Sequence, residues 1–403
     1  MRALLSLAQL NATKNNRCLD RGMSRLQHDV VIVGGGVIGL SVAYALSREG
    51  IRATLLDRRE FGREASWAGA GMLPPCSERP PAQPFELLRS WSARLYPKWS
   101  DALREETGID NGFRRTGGVD VAWTEDEENA LRTSAGRWRS DGIVFERLAP
   151  GDYVRVEPAL NPSLRVVYYL PDRSQIRNPW HLEALKTAIE ARGVRLRPGE
   201  AVVGFETAGG RVTAVRTEHG RIPCGQVIVT AGAWSAGLLE MLGIQVPTPP
   251  VKGQIVLLRC QGMVLRRIVE HGRMYLVPRD DGRVLIGATE EDAGFDTRPT
   301  TQGVRDLLDE AIRLVPALAD AEVERAWAGL RPGSIDSRPY LGTVPDFPNL
   351  LVATGHKRSG LQLSPATAEA ITDLVLDRPA RIDLSLFRID REPAPASDDV
   401  FRS

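Results

Sequence analysis

Three glycines, Gly34, Gly36 and Gly39, stand in G-x-G-x-x-G register, and an aspartate, Asp57, follows about 20 residues further on. Gly34 permits the tight turn, Gly36 lets the backbone approach a pyrophosphate and Gly39 lets helix and strand pack closely, and a carboxylate at that distance accepts hydrogen bonds from a ribose 2′-hydroxyl. Gly34, Gly36, Val37, Ile38, Gly39 and Asp57 are therefore candidate cofactor-binding residues. The acid favours an unphosphorylated adenosine ribose, as in FAD or NAD, over NADP. Far along the chain, Arg331 sits in the glycine- and proline-framed turn GLRPG. Its planar guanidinium is a bidentate fork suited to a carboxylate.

The elements that must position these residues are legible around them. Val30–Val33 is a short β-branched run, consistent with a strand buried on both faces. Ile38, Val42, Ala45 and Leu46 fall at helical spacing, Gly50 closes that helix, and Ala53–Leu56 is the next strand. Small residues then run from Ala65 to Met72, broken by Trp67, so the backbone there can lie against something flat and large, and Ser66 could donate to a phosphate. A second buried strand, Gln226–Thr230, feeds Gly232 at the start of a helix, a placement suited to a cofactor phosphate or polar edge.

Between these lie a helix over Pro80–Glu106, a strand over Thr116–Trp123, a charged helix over Glu125–Ser140, a strand over Val166–Leu170 and a helix over His181–Arg192. Ala201–Phe205 and Val212–Arg216 read as a hairpin turned at Gly209–Gly210. From Val251 the pattern becomes strands and turns, namely Gln254–Leu258, Met274–Pro278 and Val284–Ala288, which predict an antiparallel sheet outside the nucleotide core. A helix over Gly303–Leu314, strands over Val323–Arg331 and Leu350–Thr354, and a helix opening at Pro365 complete the reading. The expected fold class is α/β: a doubly wound parallel Rossmann-like domain interleaved with a smaller α+β substrate domain. The boundaries follow as 24–85, 165–245 and 325–380 for the cofactor domain and 86–164 and 246–324 for the substrate domain, with residues 1–23 a disordered extension and 381–403 a tail.

Composition narrows the function classes. A chain of 403 residues with 42% hydrophobic and 26% charged content is ordinary for a globular protein. A net charge of +1 gives no pull toward nucleic acid. Cys18, Cys76, Cys224 and Cys260 are scattered, which fits a reducing, cytoplasmic setting, and the five dispersed histidines argue against a metal cluster. No apolar run approaches the ~20 residues of a membrane span. Met1–Gly22 is basic and nearly free of acids, and Met23 offers an alternative start just ahead of the first strand.

The segments VVIVGGGVIGLSVAYALSREG, REASWAGAGML, PVKGQ, MYLVPR, IGATEEDAGFD, WAGLRPGSIDSRPYLG, ATGHKRSGLQLSPATAEAI and LFRID occur in one order from about Asp29 to Asp390. On these the chain resembles the D-amino acid oxidase superfamily, and more closely the glycine oxidases of thiamine biosynthesis. The resemblance implies noncovalent FAD, dioxygen as acceptor, a small amino acid as substrate, a thiazole synthase as partner and a homotetramer. It implies that Arg331 clamps the substrate carboxylate with Tyr275 as its hydroxyl partner. By the same likeness Arg358 and Gly360, in the GHKRSG loop, reach the flavin and the substrate site; Ala70, Gly71 and Met72 lie against the flavin ring, and Val202 meets the adenine side. Lys357, Ser359, Glu290, Arg273 and Arg177-Asn178-Pro179 depart from the family's commoner pattern, so the substrate follows less directly than the cofactor.

Oxidation of an amine beside a flavin needs an anchored carboxylate and a dry, oriented site rather than a side-chain nucleophile, so few histidines are no obstacle. Two other readings stay open on sequence: a D-amino acid or sarcosine-type dehydrogenase that reduces a quinone, and a catalytically silent flavoprotein.

Overall fold

The computed structural model describes residues 30–393 apart from 76, 78, 80 and 82. The amino-terminal extension and the tail beyond 393 lie outside the described residues.

Apolar β-branched runs with no polar face must be covered on both sides, and the first sheet shows this directly. It has six strands in the order Tyr340–Val344, Phe347–Thr354, Gln226–Val229, Val30–Val33, Ala53–Leu56 and Arg195–Arg197. Five of the six run parallel, and Tyr340–Val344 pairs antiparallel at the edge. Side chains alternate between two cores. Val30, Ile32, Leu55, Ile228 and Leu351 face a helical layer, while Val31, Val33, Leu56, Val229 and Val352 face the opposite side. The helical layer comprises Val37–Arg48, Pro84–Thr107, Asn178–Ala191 and Gly360–Val375. The other face is closed by a three-stranded antiparallel sheet, Val202–Ala208, Arg211–Thr217 and Gly220–Pro223.

The second large sheet has eight strands, in the order Glu322–Pro332, Pro250–Arg259, Arg283–Gly287, Met274–Pro278, Ile268–His271, Gly118–Ala122, Val166–Leu170 and Glu146–Leu148. Its pairings are antiparallel except that of Ile268–His271 with Gly118–Ala122. Helix Thr301–Leu314 covers one face through Leu307, Ala311 and Leu314, and the Thr300 hydroxyl caps its first turn by accepting from the Gly303 amide.

Several expectations shift. Val166–Leu170 and the strand around Val323–Arg331 hydrogen-bond into the eight-stranded sheet, so the sheet boundaries fall away from 165 and 325. The helix expected over Pro80–Glu106 begins at Pro84, and it packs Phe85, Leu88, Trp99 and Leu103 into the parallel sheet's core although the sequence reading put it in the substrate domain. Its Trp99 meets Tyr44 edge-on at 5.1 Å. Apolar spacing alone does not say which sheet a strand or helix joins; pairing partners decide that.

The last helix starts at Gly360, five residues before the proline that was expected to open it. Pro365 has no N–H, so the Leu361 carbonyl one turn earlier loses its helical donor. The fold supplies replacements: the Tyr96 hydroxyl and the Ser364 hydroxyl both donate to that carbonyl. Tyr96→Phe removes the first of these from a buried site and is expected to destabilise the protein by about 1–2 kcal/mol in urea unfolding, with the native absorbance and circular dichroism otherwise retained.

Candidate active site

The carboxyl ends of the parallel strands and the flank of the second sheet enclose a cavity of about 510 Å³. Open α/β sheets bind ligands in that place, outside the ends of the strands. Every candidate residue named above lines this cavity except Gly39. Gly39 stands where the third glycine of the fingerprint is expected to serve helix–strand packing. A Cβ there would stand 1.9 Å from the Gly34 carbonyl oxygen, so helix and strand could not close on each other.

At one end the chain turns with Gly34 at φ +113°, and a side chain there would fall 2.7 Å from the backbone of Thr230 and Ala231. The Thr230 hydroxyl donates to the Gly34 carbonyl at 2.7 Å, locking the turn to the neighbouring strand. Asp57 accepts from the Gly35 amide at 2.7 Å and from the Arg59 amide at 2.9 Å. Burial raises its pKa, and these two amides oppose the rise. Ser66 Oγ accepts from the Val37 amide at 2.9 Å. That amide is thus engaged by the protein, and the Ser66 hydroxyl proton remains to donate into the cavity. Glu200 and Val202 complete this end.

Along the wall, Ala70, Gly71 and Met72 are held from behind. The Ala70 carbonyl accepts from Arg279 Nη2 at 2.7 Å, and the Gly71 carbonyl accepts from the Ile176 amide at 2.8 Å. Gly71 adopts φ +77°, and a Cβ would sit 1.9 Å from the Ile176 carbonyl oxygen. Arg279 also donates to Gln175 Oε1 at 2.7 Å, and burial lowers its pKa to about 10. The sequence reading passed over Arg279, whose signal was its place in the MYLVPR segment.

At the far end Arg331 and Tyr275 lie together at the cavity wall, close enough for each to shift the other's pKa. Arg331 Nη1 donates to the Thr289 carbonyl at 3.0 Å. Enclosure by protein lowers the Arg331 pKa, with Tyr275 opposing that shift and Arg358 adding to it. Burial raises the Tyr275 pKa, and the nearby arginines work against that, so the phenol is a neutral donor at ordinary pH. Two glycines outside the candidate set make the space. A Cβ on Gly253 would lie 2.4 Å from the Arg331 guanidinium, and one on Gly287 would lie 2.5 Å from the Tyr275 oxygen. Gly287 stands opposite Tyr275 in the antiparallel pairing, a relation that a single strand read alone does not reveal. Arg358 Nη2 donates to the Arg273 carbonyl at 3.3 Å, joining the loop before the last helix to the hairpin that carries Tyr275.

That hairpin is pinned at its tip. His271 Nδ1 lies 2.8 Å from Glu310, and its Nε2 lies 3.2 Å from Glu127. A ring protonated on both nitrogens donates to both carboxylates, which raises the His271 pKa, with the Glu310 hydrogen bond as the largest cause. A group whose folded pKa lies above its unfolded value contributes stability that is complete below the unfolded value and lost as pH rises through the folded one. The stability difference between wild type and His271→Gln, read from thermal midpoints, is therefore expected to be largest near about pH 6 and to shrink toward about pH 9. A difference that stays constant over this range would show that His271 contributes through packing alone.

The residues present suit FAD. The glycine turn leaves a cradle that side chains would fill, Asp57 and Ser66 offer an acceptor and a donor beside it, and the small-residue wall leads to the Arg331–Tyr275 pair. Among the described residues there is no group of three His, Cys, Asp or Glu able to hold a metal, and no helix is long and apolar enough to cross a membrane.

Comparison with known proteins agrees with this architecture. A glycine oxidase of Pseudomonas putida is 38% identical over 89% of this chain and 97% of its own length. The crystal structure of glycine oxidase from Geobacillus kaustophilus superposes with a TM-score of 0.87 at 34% identity, covering 91% of this chain and all of that one. A bifunctional protein ThiO/ThiG of a Nostoc species is 34% identical over 92% of this chain, which spans 56% of that longer protein. The family model described as DAO, FAD dependent oxidoreductase, matches residues 29–374. A glycine turn, a cavity at the strand ends and a match over most of its length leave one assignment: the chain belongs to the DAO family of FAD-dependent oxidoreductases.

Proposed function

We propose that the protein is an FAD-dependent glycine oxidase, converting glycine, dioxygen and water to glyoxylate, ammonia and hydrogen peroxide. The observation that carries this reading is the enclosed Arg331–Tyr275 pair at one end of a cavity whose other end is the glycine turn. FAD supplies the two-electron acceptor when bound; the protein supplies binding, orientation and electrostatics.

Each side chain has a task in this reading. Arg331 holds the substrate carboxylate through charged hydrogen bonds, and the neutral Tyr275 phenol donates to the same group. Arg358 adds positive potential beside them. Gly253 and Gly287 leave the room those side chains need. Arg279 keeps the Ala70–Met72 wall in place from outside the cavity. Asp57 accepts from the adenosine ribose, and Gly34, Gly36, Ile38, Val202, Gly232 and Gly360 bring backbone close to the cofactor. Cys224 and Cys260 are free thiols, which accords with a cytoplasmic setting. The likeness to part of a bifunctional ThiO/ThiG protein supports hand-over of the imine product to a thiazole-forming partner.

Arg331→Ala removes a charged hydrogen bond worth roughly 1.5–3 kcal/mol and is expected to lower kcat/KM for glycine about ten- to a hundredfold with FAD retained. Peroxide production under varied glycine measures this, and unchanged kinetics would remove the anchor assignment. Asp57→Ala is expected to weaken FAD binding by about tenfold or more, since it deletes both the ribose acceptor and the carboxylate that orders the Gly35 amide. Fluorescence titration of the apoprotein with FAD reads that change independently of turnover.

A further inference from the structure

The loop between strand Arg283–Gly287 and helix Thr301–Leu314 is fastened at two points to strand Pro250–Arg259. At one of them Glu291 and Lys252 exchange backbone hydrogen bonds at 3.0 and 2.9 Å. At the other the Thr300 amide donates to Gln254 Oε1 at 2.8 Å, and Gln254 Nε2 donates to Thr300 Oγ1 at 3.0 Å and to Glu291 Oε1 at 2.7 Å. Residues 292–299 rise between these points into a turn. The Asp296 amide closes it on the Ala293 carbonyl at 3.1 Å, Gly294 adopts φ +53°, and Arg298 Nη2 holds the Asp296 carboxylate at 2.8 Å. The crest of this otherwise small and polar turn is Phe295.

Phe295 is 55% exposed and lies outside the cavity lining. Its ring stands 5.4 Å from that of Trp234, tilted by 33°. Trp234 does line the cavity, and it belongs to the other large sheet, ending the short turn that follows strand Gln226–Val229. The Arg58 guanidinium also lies over the indole, 3.9 Å from the ring centre, and Glu64 steadies that arginine at 3.0 Å. Arg58 follows Asp57 directly, so the indole stands by the cavity end proposed for the adenosine ribose. A turn built on the second sheet thus clasps a wall residue supplied by the first. Aromatic pairs contribute beyond the area they bury, which gives a half-exposed phenylalanine a use there that a polar residue would not serve. A long cofactor lying between two sheets is freed more slowly when one wall residue is fastened to both.

We infer that Phe295 is a positioning residue for the cofactor: stacked on Trp234, it fastens the loop of the eight-stranded sheet to the wall of the parallel one and slows the release of FAD. The inference rests on FAD occupying this cavity and is independent of which amine is oxidised. Phe295 acts through Trp234, and Arg58 holds the same indole from the cofactor side of the fold.

The test follows the rise of flavin fluorescence after strong dilution of the holoenzyme, a readout that needs no turnover. Phe295→Ser is expected to release FAD roughly three- to tenfold faster than wild type, the range spanned by one aromatic pair. Phe295→Tyr keeps a ring at the crest and is expected to restore slow release. Trp234→Leu should speed release by itself, and adding Phe295→Ser to it should change the rate no further, because the partner is already gone. Release from Phe295→Ser at the wild-type rate, or the same acceleration by Phe295→Ser whether or not Trp234 is present, would overturn the inference and leave FAD binding and glycine oxidation standing. Failure of the wild-type apoprotein to take up FAD would overturn the cofactor assignment together with it.

Discussion

A half-buried guanidinium, Arg331, is the constraint around which the site is arranged. A charge removed from water must find acceptors and opposing charge, or its burial costs several kcal/mol. Arg331 finds the Thr289 carbonyl, with Tyr275 and Glu290 nearby opposing the loss of its charge. The fit around it is close, since strand Pro250–Arg259 must offer bare backbone at Gly253 for the guanidinium to lie flat.

That requirement explains why the two large sheets are interleaved rather than consecutive. The strand that ends in Arg331 leans against the small-residue wall. A Cβ on Gly329 would come within 2.6 Å of Ala68, and Trp327 Nε1 donates to the Ala68 carbonyl at 3.2 Å. The same strand end accepts the Lys357 amide, from the loop that follows a strand of the parallel sheet. Segments from residues 65–72, 250–259, 322–332 and 354–360 thus converge on one cavity. A long cofactor spanning from the glycine turn to Arg331 has both sheets as walls, and neither sheet alone would make a site.

Buried polar groups show the same economy. The Arg173–Asp120–Glu270 cluster joins three chain segments inside the eight-stranded sheet, and His271 joins two helices to the hairpin tip. Both act on the hairpin that presents Tyr275 and Arg273. Rigid support of this kind is what keeps a binding constellation within tenths of an ångström of its working geometry.

Local chemistry made part of this readable from residue order. The Val30–Val33 run, the glycine turn and Asp57 announce themselves because strand burial, a left-handed turn and a carboxylate one strand later are short-range requirements. The GLRPG frame around Arg331 is likewise local. What only the tertiary structure decided is pairing. It placed Val166–Leu170 and Glu322–Pro332 in the second sheet and carried helix Pro84–Thr107 into the first core. It also set Gly253 against Arg331, Gly287 against Tyr275 and Arg279 behind Ala70. Hydrophobic periodicity tells which face of a segment is buried but carries no information about the segment it is buried against, and these contacts join residues far apart in the chain.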